Sequence, residues 1–263
     1  MTTSADQIEA ALSALSDSHD RLVAAAKPLT GDEVTGPSYC SEWSVAQVLS
    51  HLGSGAEIFG LLVEAGLHGR EAPGQEQNQA IWANWDAKSP QDQARDGVAE
   101  DGELVEQLAA ISPERRLAWR LSFFGAERGL ADVIGMRLAE HVLHTWDVEV
   151  IRNPEATVAG DAAGLVLDFQ MQLAGMIGKP LDRELRVHVT TEHPERHFEL
   201  SAGPAGVALA PAGPEPAPGD ATLRLPAEAF ARLLSGRLDA EHPAPVLAEG
   251  VDLAELRQVF PGF

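Results

Sequence analysis

The chain has 263 residues, of which 19 are Lys or Arg and 40 are Asp or Glu, so its formal net charge is −21. This charge argues against nucleic acid or an anionic membrane as a partner, because both bind through basic surfaces. No apolar run approaches the ~20 residues of a membrane helix, and the N-terminal sequence does not look like a signal peptide. The single cysteine, Cys40, excludes an intrachain disulfide. We therefore expect a soluble, cytoplasmic protein.

Apolar residues at helical spacing predict four long helices in the first part of the chain. These helices cover residues 5–27, 44–69, 90–111 and 130–152. Ser44 and Gln47 have the spacing of a capping box at the start of the second helix. The intervening segments are expected to be loops at 30–41 and 70–80, a short aromatic element at 81–85 and a connection at 116–129. Four such helices predict an antiparallel bundle, with no strand in the first 150 residues.

The pattern changes after Asn153-Pro154, where we place a domain boundary. A helix is predicted at 160–177, and from Leu185 apolar and polar residues alternate as in strands. The predicted strands cover residues 185–190, 197–201, 206–210, 221–225 and 245–248, and two further helices cover 226–234 and 253–259. The sequence thus predicts an α+β fold: a helical bundle at residues 1–154, followed at 155–263 by a small α+β domain with a mostly antiparallel sheet.

Three residues of the predicted bundle, His51, Glu140 and His144, are candidate metal ligands. Glu140 and His144 are four residues apart, so they share one face of their helix, with Glu140 toward the apolar side. A carboxylate that points into a bundle is costly unless it is paired or binds a metal, and bundle cores build metal sites from such residues. Two histidines and one carboxylate leave a position open for water or substrate. From spacing alone, a simple hydrogen-bonded Glu–His pair is the alternative.

We also interpret several residues outside the three candidate ligands. His141 is expected to be a surface histidine, because it points about 100° away from Glu140. Asp147 either orients a ligand or satisfies a buried donor. Cys40 precedes a helix, where a thiolate is favoured, but a small half-buried loop residue is the simpler interpretation. The aromatic residues that either line a pocket or belong to the core are Trp82, Trp85 and Trp119.

Two sequence motifs carry a resemblance to a known family. Residues 40–52, CSEWSVAQVLSHL, resemble the segment of the mycothiol-dependent maleylpyruvate isomerase family that supplies its first histidine ligand. Residues 137–147, RLAEHVLHTWD, are similar to the family's second metal motif, Glu-x-x-x-His followed by Trp-Asp. Segments at 221–225, 233–238 and 259–263 look like the family's C-terminal domain, so the resemblance covers nearly the whole chain.

The resemblance implies a DinB-like four-helix bundle, followed by a C-terminal domain that has been likened to sterol-carrier folds. It implies a divalent metal ion, usually zinc, held by His51, Glu140 and His144. It also implies a low-molecular-weight thiol as cosubstrate, which is mycothiol in actinobacteria. A coordinated thiol is readily deprotonated, and the thiolate can add to a small electrophilic substrate. The outcome is then either isomerisation or S-transfer.

The family's arginine in the C-terminal domain implies a catalytic role for Arg237 in binding an acidic substrate. An arginine offers bidentate geometry to a carboxylate, although a surface arginine after a helix is the alternative. We expect the polar part of the thiol to lie in a cleft between the domains, lined by a loop at 73–88 and by Arg237. The competing functions are a non-catalytic metal- or ligand-binding module and a metal-dependent hydrolase.

Overall fold

A computed structural model of the chain describes residues 5–40, 42–123 and 125–262. It divides the chain into two units, Met1–Asn153 and Pro154–Phe263. Helices dominate the first unit, and the second combines helices with a five-stranded sheet. Among the residues described, no helix combines the length and the apolar composition that a bilayer crossing requires.

The first unit contains seven helices and one hairpin within the described part of the chain. In chain order they are α1 Ala5–Ala26, α2 Gly31–Thr35, α3 Val45–His68, α4 Gln75–Asp86, α5 Pro90–Ala109, α6 Pro113–Ala118, β1 Arg120–Phe123, β2 Ala126–Gly129 and α7 Leu130–Glu149. The predicted capping box of Ser44 and Gln47 begins α3, and Gly69 ends it in the left-handed region at φ 61°. The four long helices were therefore predicted within a few residues.

Three of the expected connections in this unit were wrong. Residues 75–80 of the segment expected to be irregular belong to α4, and α2 lies in the expected loop at 30–41. The connection at 116–129 contains the end of α6 and the antiparallel hairpin of β1 and β2. The expectation that the first 150 residues contain no strand is therefore wrong.

The four long helices pack against each other in pairs. Helix α1 contacts α5 and α7, and α3 contacts the same two helices. At Gly97 of α5, an added Cβ would lie 2.2 Å from the carbonyl oxygen of Leu49 in α3, so only glycine fits this close approach. Leu22, Leu52 and Val148 are at most 1% exposed and belong to one apolar cluster. This packing brings α3, which carries His51, beside α7, which carries Glu140 and His144.

The second unit is built on a sheet with the strand order β5-β4-β3-β6-β7. Its elements are α8 Gly160–Ile177, β3 Leu185–Glu192, β4 Arg196–Gly203, β5 Gly206–Pro211, β6 Ala221–Pro226, α9 Ala227–Leu234, β7 Leu247–Glu249 and α10 Leu253–Val259. Only β3 and β6 pair in parallel among the described strands, so the prediction of a mostly antiparallel sheet is confirmed. Apolar residues of β3 and β4 alternate with polar ones. The ring centroids of Phe198 in β4 and Phe230 in α9 are 5.6 Å apart, so α9 packs against this sheet.

Candidate metal centre

A short loop before α3 has a fixed backbone conformation. The main-chain nitrogen of Ser38 donates to the carbonyl of Trp43 at 3.0 Å, and that of Trp43 donates to the carbonyl of Cys40 at 2.7 Å. The Ser38 hydroxyl also donates to the carbonyls of Cys40 and Trp43, at 3.1 and 2.8 Å. These bonds, followed by the capping box at Ser44, position the side chains of Cys40 and Trp43 before the helix that carries His51.

The donor atoms of His51, Glu140 and His144 converge, all within 4.8 Å of one another. Glu140 Oε2 lies 3.3 Å from His51 Nε2 and 3.7 Å from His144 Nε2. The side chain of Glu140 is 50% exposed and that of His51 is 35% exposed, whereas that of His144 is 13% exposed. The expected inward carboxylate is thus half exposed, and the cluster is open to solvent on the side of Glu140.

The spacing of these donor atoms suits a divalent cation. Ligand bonds of about 2.1 Å in tetrahedral geometry place neighbouring ligand atoms about 3.4 Å apart. The observed separations of 3.3 and 3.7 Å are close to that value. Two imidazoles and one carboxylate are also a donor set that catalytic zinc sites use, with one position left for water or substrate. The residues present therefore fit a metal ion.

Asp147 holds the imidazole of His144 from the other side. The Nδ1–H group of His144 donates to Asp147 Oδ2 at 2.8 Å, and Asp147 is fully buried. A carboxylate partner on one ring nitrogen fixes the tautomer and the ring orientation of a histidine ligand. Asp147 accepts from His144, whose Nε2 faces Glu140, and its role in orienting a metal ligand stays a prediction.

The acidic partners change the pKa values of this cluster. Burial acts to lower the pKa of His144, but hydrogen bonds with Asp147, Cys40 and Glu140 outweigh it and raise the pKa to about 10. Partial desolvation acts to raise the pKa of Glu140, but hydrogen bonds with His144 and His51 outweigh it and hold that pKa well below its usual range. The carboxylates thus stabilise positive charge at the point where a cation would bind.

The loop before α3 adds two side chains that the sequence did not assign to the site. The ring centroid of Trp43 lies 5.1 Å from that of His51 and 6.1 Å from that of His144, so the indole covers both imidazoles. The Cys40 thiol donates to Asp147 Oδ2 at 3.1 Å, and its sulfur lies 3.9 Å from His144 Nδ1. The partners of Cys40 are more than 100 residues away in the chain, so no local pattern could have revealed these two contacts.

His141 is not the surface histidine that helical geometry predicted. It is fully buried, and its Nε2–H donates to Asp101 Oδ2 at 2.8 Å. His19 donates to the same oxygen at 2.6 Å, and Arg137 donates to Asp101 Oδ1. These separations are those of direct hydrogen bonds, shorter than the spacing of about 3.4 Å between metal ligands. The group is therefore a polar network of the core.

Arg237 lies in the second unit, three residues after the end of α9. Only 7% of its surface is exposed, and its Nη1 donates to the carbonyl of Ser235 at 3.1 Å. It is therefore a buried arginine, and its role in substrate binding stays a prediction. Among the tryptophans considered for a pocket, Trp85 and Trp119 belong to the core, whereas Trp82 is 46% exposed.

The chain is similar to known proteins both in sequence and in fold. The family model described as the mycothiol maleylpyruvate isomerase N-terminal domain matches residues 15–149. Among solved structures, a mycothiol-dependent maleylpyruvate isomerase matches with a TM-score of 0.67 and 13% sequence identity, over 93% of this chain and 94% of that chain. A histidine-to-alanine mutant of a mycothiol-dependent maleylpyruvate isomerase matches with a TM-score of 0.65 and 13% identity, over 90% of this chain and 95% of that one.

No curated protein sequence matches the chain significantly. At 13% identity the structural matches establish a shared fold. The family model, by contrast, covers more than half of the chain, including α3, α7 and the converging side chains that they carry. On this evidence the chain belongs to the mycothiol maleylpyruvate isomerase family.

Proposed function

We propose that this protein is a metal-dependent enzyme that uses a low-molecular-weight thiol, mycothiol, either to isomerise a small electrophile or to form a conjugate with it through the thiol sulfur. The observation that carries the proposal is the convergence of His51, Glu140 and His144 in a chain of this family. Zinc is the proposed ion, because a set of two imidazoles and one carboxylate suits it. When bound, such an ion would favour the thiolate form of a coordinated thiol.

The roles of the protein's own residues follow from their contacts. His51, Glu140 and His144 would hold the cation, and Asp147 fixes the ring of His144. Trp43 places an apolar ring beside both imidazoles, at the edge of the proposed ion site. The exposed flank at Glu140 is the proposed entrance for the thiol and the electrophile.

We also propose that the two units have the identities that the family resemblance implies. The first, residues 1–154, would be a DinB-like four-helix bundle, and the pairwise packing of α1, α3, α5 and α7 supports this. The second, residues 155–263, would be the sterol-carrier-like domain that supplies Arg237. The mixed sheet with helices α8 and α9 against it supports the second assignment.

The test is thiol consumption by the purified protein. We expect mycothiol to be consumed with a generic electrophile, such as a haloarene or a bimane, and the rate to be lost with a chelator and restored by Zn²⁺. His144→Ala should abolish the rate, whereas His68→Ala, at the far end of α3, should not change it. A protein that binds metal but gives no rate would instead be a binding module. Metal-dependent cleavage of an ester without thiol would indicate a hydrolase.

A further inference from the structure

The side chain of Cys40 has a position that the proposed chemistry does not use. Its thiol donates to Asp147 Oδ2 at 3.1 Å, and the same oxygen accepts the Nδ1–H of His144 at 2.8 Å. A single carboxylate oxygen therefore joins the thiol to the imidazole of a candidate ligand. The sulfur is on the side of His144 Nδ1, whereas the metal-facing nitrogen of that ring is Nε2.

These contacts argue against Cys40 as a nucleophile. A carboxylate only accepts hydrogen bonds, so the Cys40 S–H group is the donor in this contact. A nucleophilic cysteine acts as a thiolate, whereas the contact of Cys40 with Asp147 uses its S–H group as a donor. The thiol instead offers Asp147 a hydrogen bond in a fully buried position, where each missing donor is costly.

We propose that Cys40 is a positioning residue that acts through Asp147 on His144 and thereby raises the metal affinity of the site. Asp147 must hold one orientation for its Oδ2 to receive the His144 Nδ1–H group, and the thiol fixes that orientation from the loop. The loop can do so because its own backbone is fixed, with the Cys40 carbonyl accepting from Trp43 N and from the Ser38 hydroxyl. This inference rests on the proposed metal site, but it requires neither the thiol cosubstrate nor the electrophile.

Two substitutions separate the hydrogen bond that Cys40 donates from the chemistry of its sulfur. Cys40→Ser keeps a donor of similar size, whereas Cys40→Ala removes it, and both variants lack the sulfur. Loss of the partner that orients a ligand typically weakens metal affinity about 10–100-fold. We therefore expect Cys40→Ala to weaken Zn²⁺ binding about tenfold. Cys40→Ser should stay within about threefold of the wild type, because its hydroxyl can make the same donation.

The experiment is a Zn²⁺ titration in competition with a chromogenic chelator, carried out on the full chain and repeated in an Asp147→Asn background. If Cys40 acts through Asp147, Cys40→Ala should lose about tenfold in the wild-type background and less than about twofold in the Asp147→Asn background. Equal losses in both backgrounds, or no loss in either, would overturn the inference. So would a Cys40→Ser protein as weak as Cys40→Ala. Thermal unfolding of each variant checks that the compared proteins are folded.

The outcomes for this inference and for the proposed function are distinguishable. A wild-type protein that binds no Zn²⁺ would overturn both. A wild-type protein that binds Zn²⁺ with the same affinity as Cys40→Ala would overturn the positioning role alone. The expected affinity pattern without any thiol consumption would support the positioning role and contradict the proposed function.

Discussion

The buried carboxylate of Asp101 accepts a 2.8 Å hydrogen bond from His141, the residue that directly follows Glu140. Both residues of this pair are fully buried, whereas the Glu140 side chain is half exposed. The Ser18 hydroxyl lies 2.7 Å from His141 Nδ1. Burial lowers the pKa of His141 and outweighs Asp101, which acts to raise that pKa. The neutral ring is therefore favoured. The hydroxyl of Ser18 therefore donates to Nδ1, and Nε2–H donates to Asp101.

This network fixes the rotation of α7 about its axis. At about 100° per residue, Arg137, Glu140, His141 and His144 fall within one arc of about 100°, with Glu140 and His141 at its opposite edges. Arg137 and His141 both donate to Asp101, and Arg137 also donates to the carbonyl of Leu52 in α3, so the His141 side of this arc is bonded to two neighbouring helices. With that side held in the core, the other side of the arc carries Glu140 and His144 toward His51. The hydrogen bonds of the polar core therefore also position two of the three candidate metal ligands.

Removal of the charge at Asp101 should destabilise the protein strongly. Asp101→Asn would leave Arg137, which is 2% exposed, without its counter-ion, and the loss of one partner of a buried ion pair typically costs about 3–5 kcal/mol. The free energy of unfolding in urea measures this. Asp96→Asn on the same helix is the control, since its pair with Lys88 is partly exposed and should contribute about 1 kcal/mol or less. Similar losses in the two variants would contradict the ion-pair role.

The contribution of His19 to stability should depend on pH. The hydrogen bond to Asp101 raises the pKa of His19 above 6.5 and outweighs partial burial, which acts to lower it. The charge of Asp20 also acts to raise this pKa, and that of Arg137 acts to lower it. A pKa that is higher in the folded state gives stability that is complete below the unfolded value and lost as the pH rises through the folded one. His19→Gln should therefore destabilise the protein more at pH 5.5 than at pH 9 in urea unfolding. A loss that is the same at both pH values would refute this.

The sequence predicted the three candidate ligands because the relevant information is local. Glu140 and His144 share a helical face by their spacing alone, and His51 follows a capping box that marks the start of its helix. The four long helices were also predicted within a few residues, because each buries an apolar stripe that recurs with the helical period. Helix α4 was missed because only Ile81 and Trp85 of it are buried, so its polar first half has no such stripe.

The contacts that complete the site depend on distant partners and were out of reach. His141 was assigned to the surface because a helical wheel gives only the direction in which each side chain leaves its helix. It does not show the buried Asp101, which lies on another helix 40 residues away. The pairing of Cys40 with Asp147 joins residues 107 positions apart. Burial of a polar side chain is costly unless it has hydrogen-bond partners. A sequence pattern does not show those partners, so it assigns such a residue to the surface.

Replacement of either histidine ligand should remove the metal. His51→Ala or His144→Ala takes one of three ligands away, so we expect a loss of affinity beyond the 10–100-fold that follows the loss of an orienting partner. Elemental analysis after dialysis, and Zn²⁺ titration, measure this. His68→Ala keeps the same helix and changes a histidine outside the cluster, so it should retain the metal. Full metal content in both ligand variants would show that the ion does not bind there.

Trp43 should report metal binding by fluorescence. Its ring lies 5.1 Å from that of His51 and 6.1 Å from that of His144, so a paramagnetic ion such as Co²⁺ held by these residues would quench it. Wild-type protein should lose fluorescence on Co²⁺ addition, and Trp43→Phe should show a smaller relative loss. Trp82→Phe, which changes an exposed tryptophan of α4, should quench like the wild type. Equal quenching in all three proteins would place the bound ion away from Trp43.

Arg237 should matter for the substrate and not for the metal. If its guanidinium binds a carboxylate, Arg237→Ala should reduce kcat/KM for a carboxylate-bearing electrophile about 10- to 100-fold, the range of a charged hydrogen bond. Zn²⁺ content and the rate with a neutral electrophile should change much less. Because Arg237 is buried and bonded to the Ser235 carbonyl, urea unfolding of each variant is needed as a check, with the exposed Arg224→Ala as a control. Equal loss with both electrophiles would assign Arg237 to thiol binding or to the structure of its unit. No loss with either would mean that another residue binds the carboxylate.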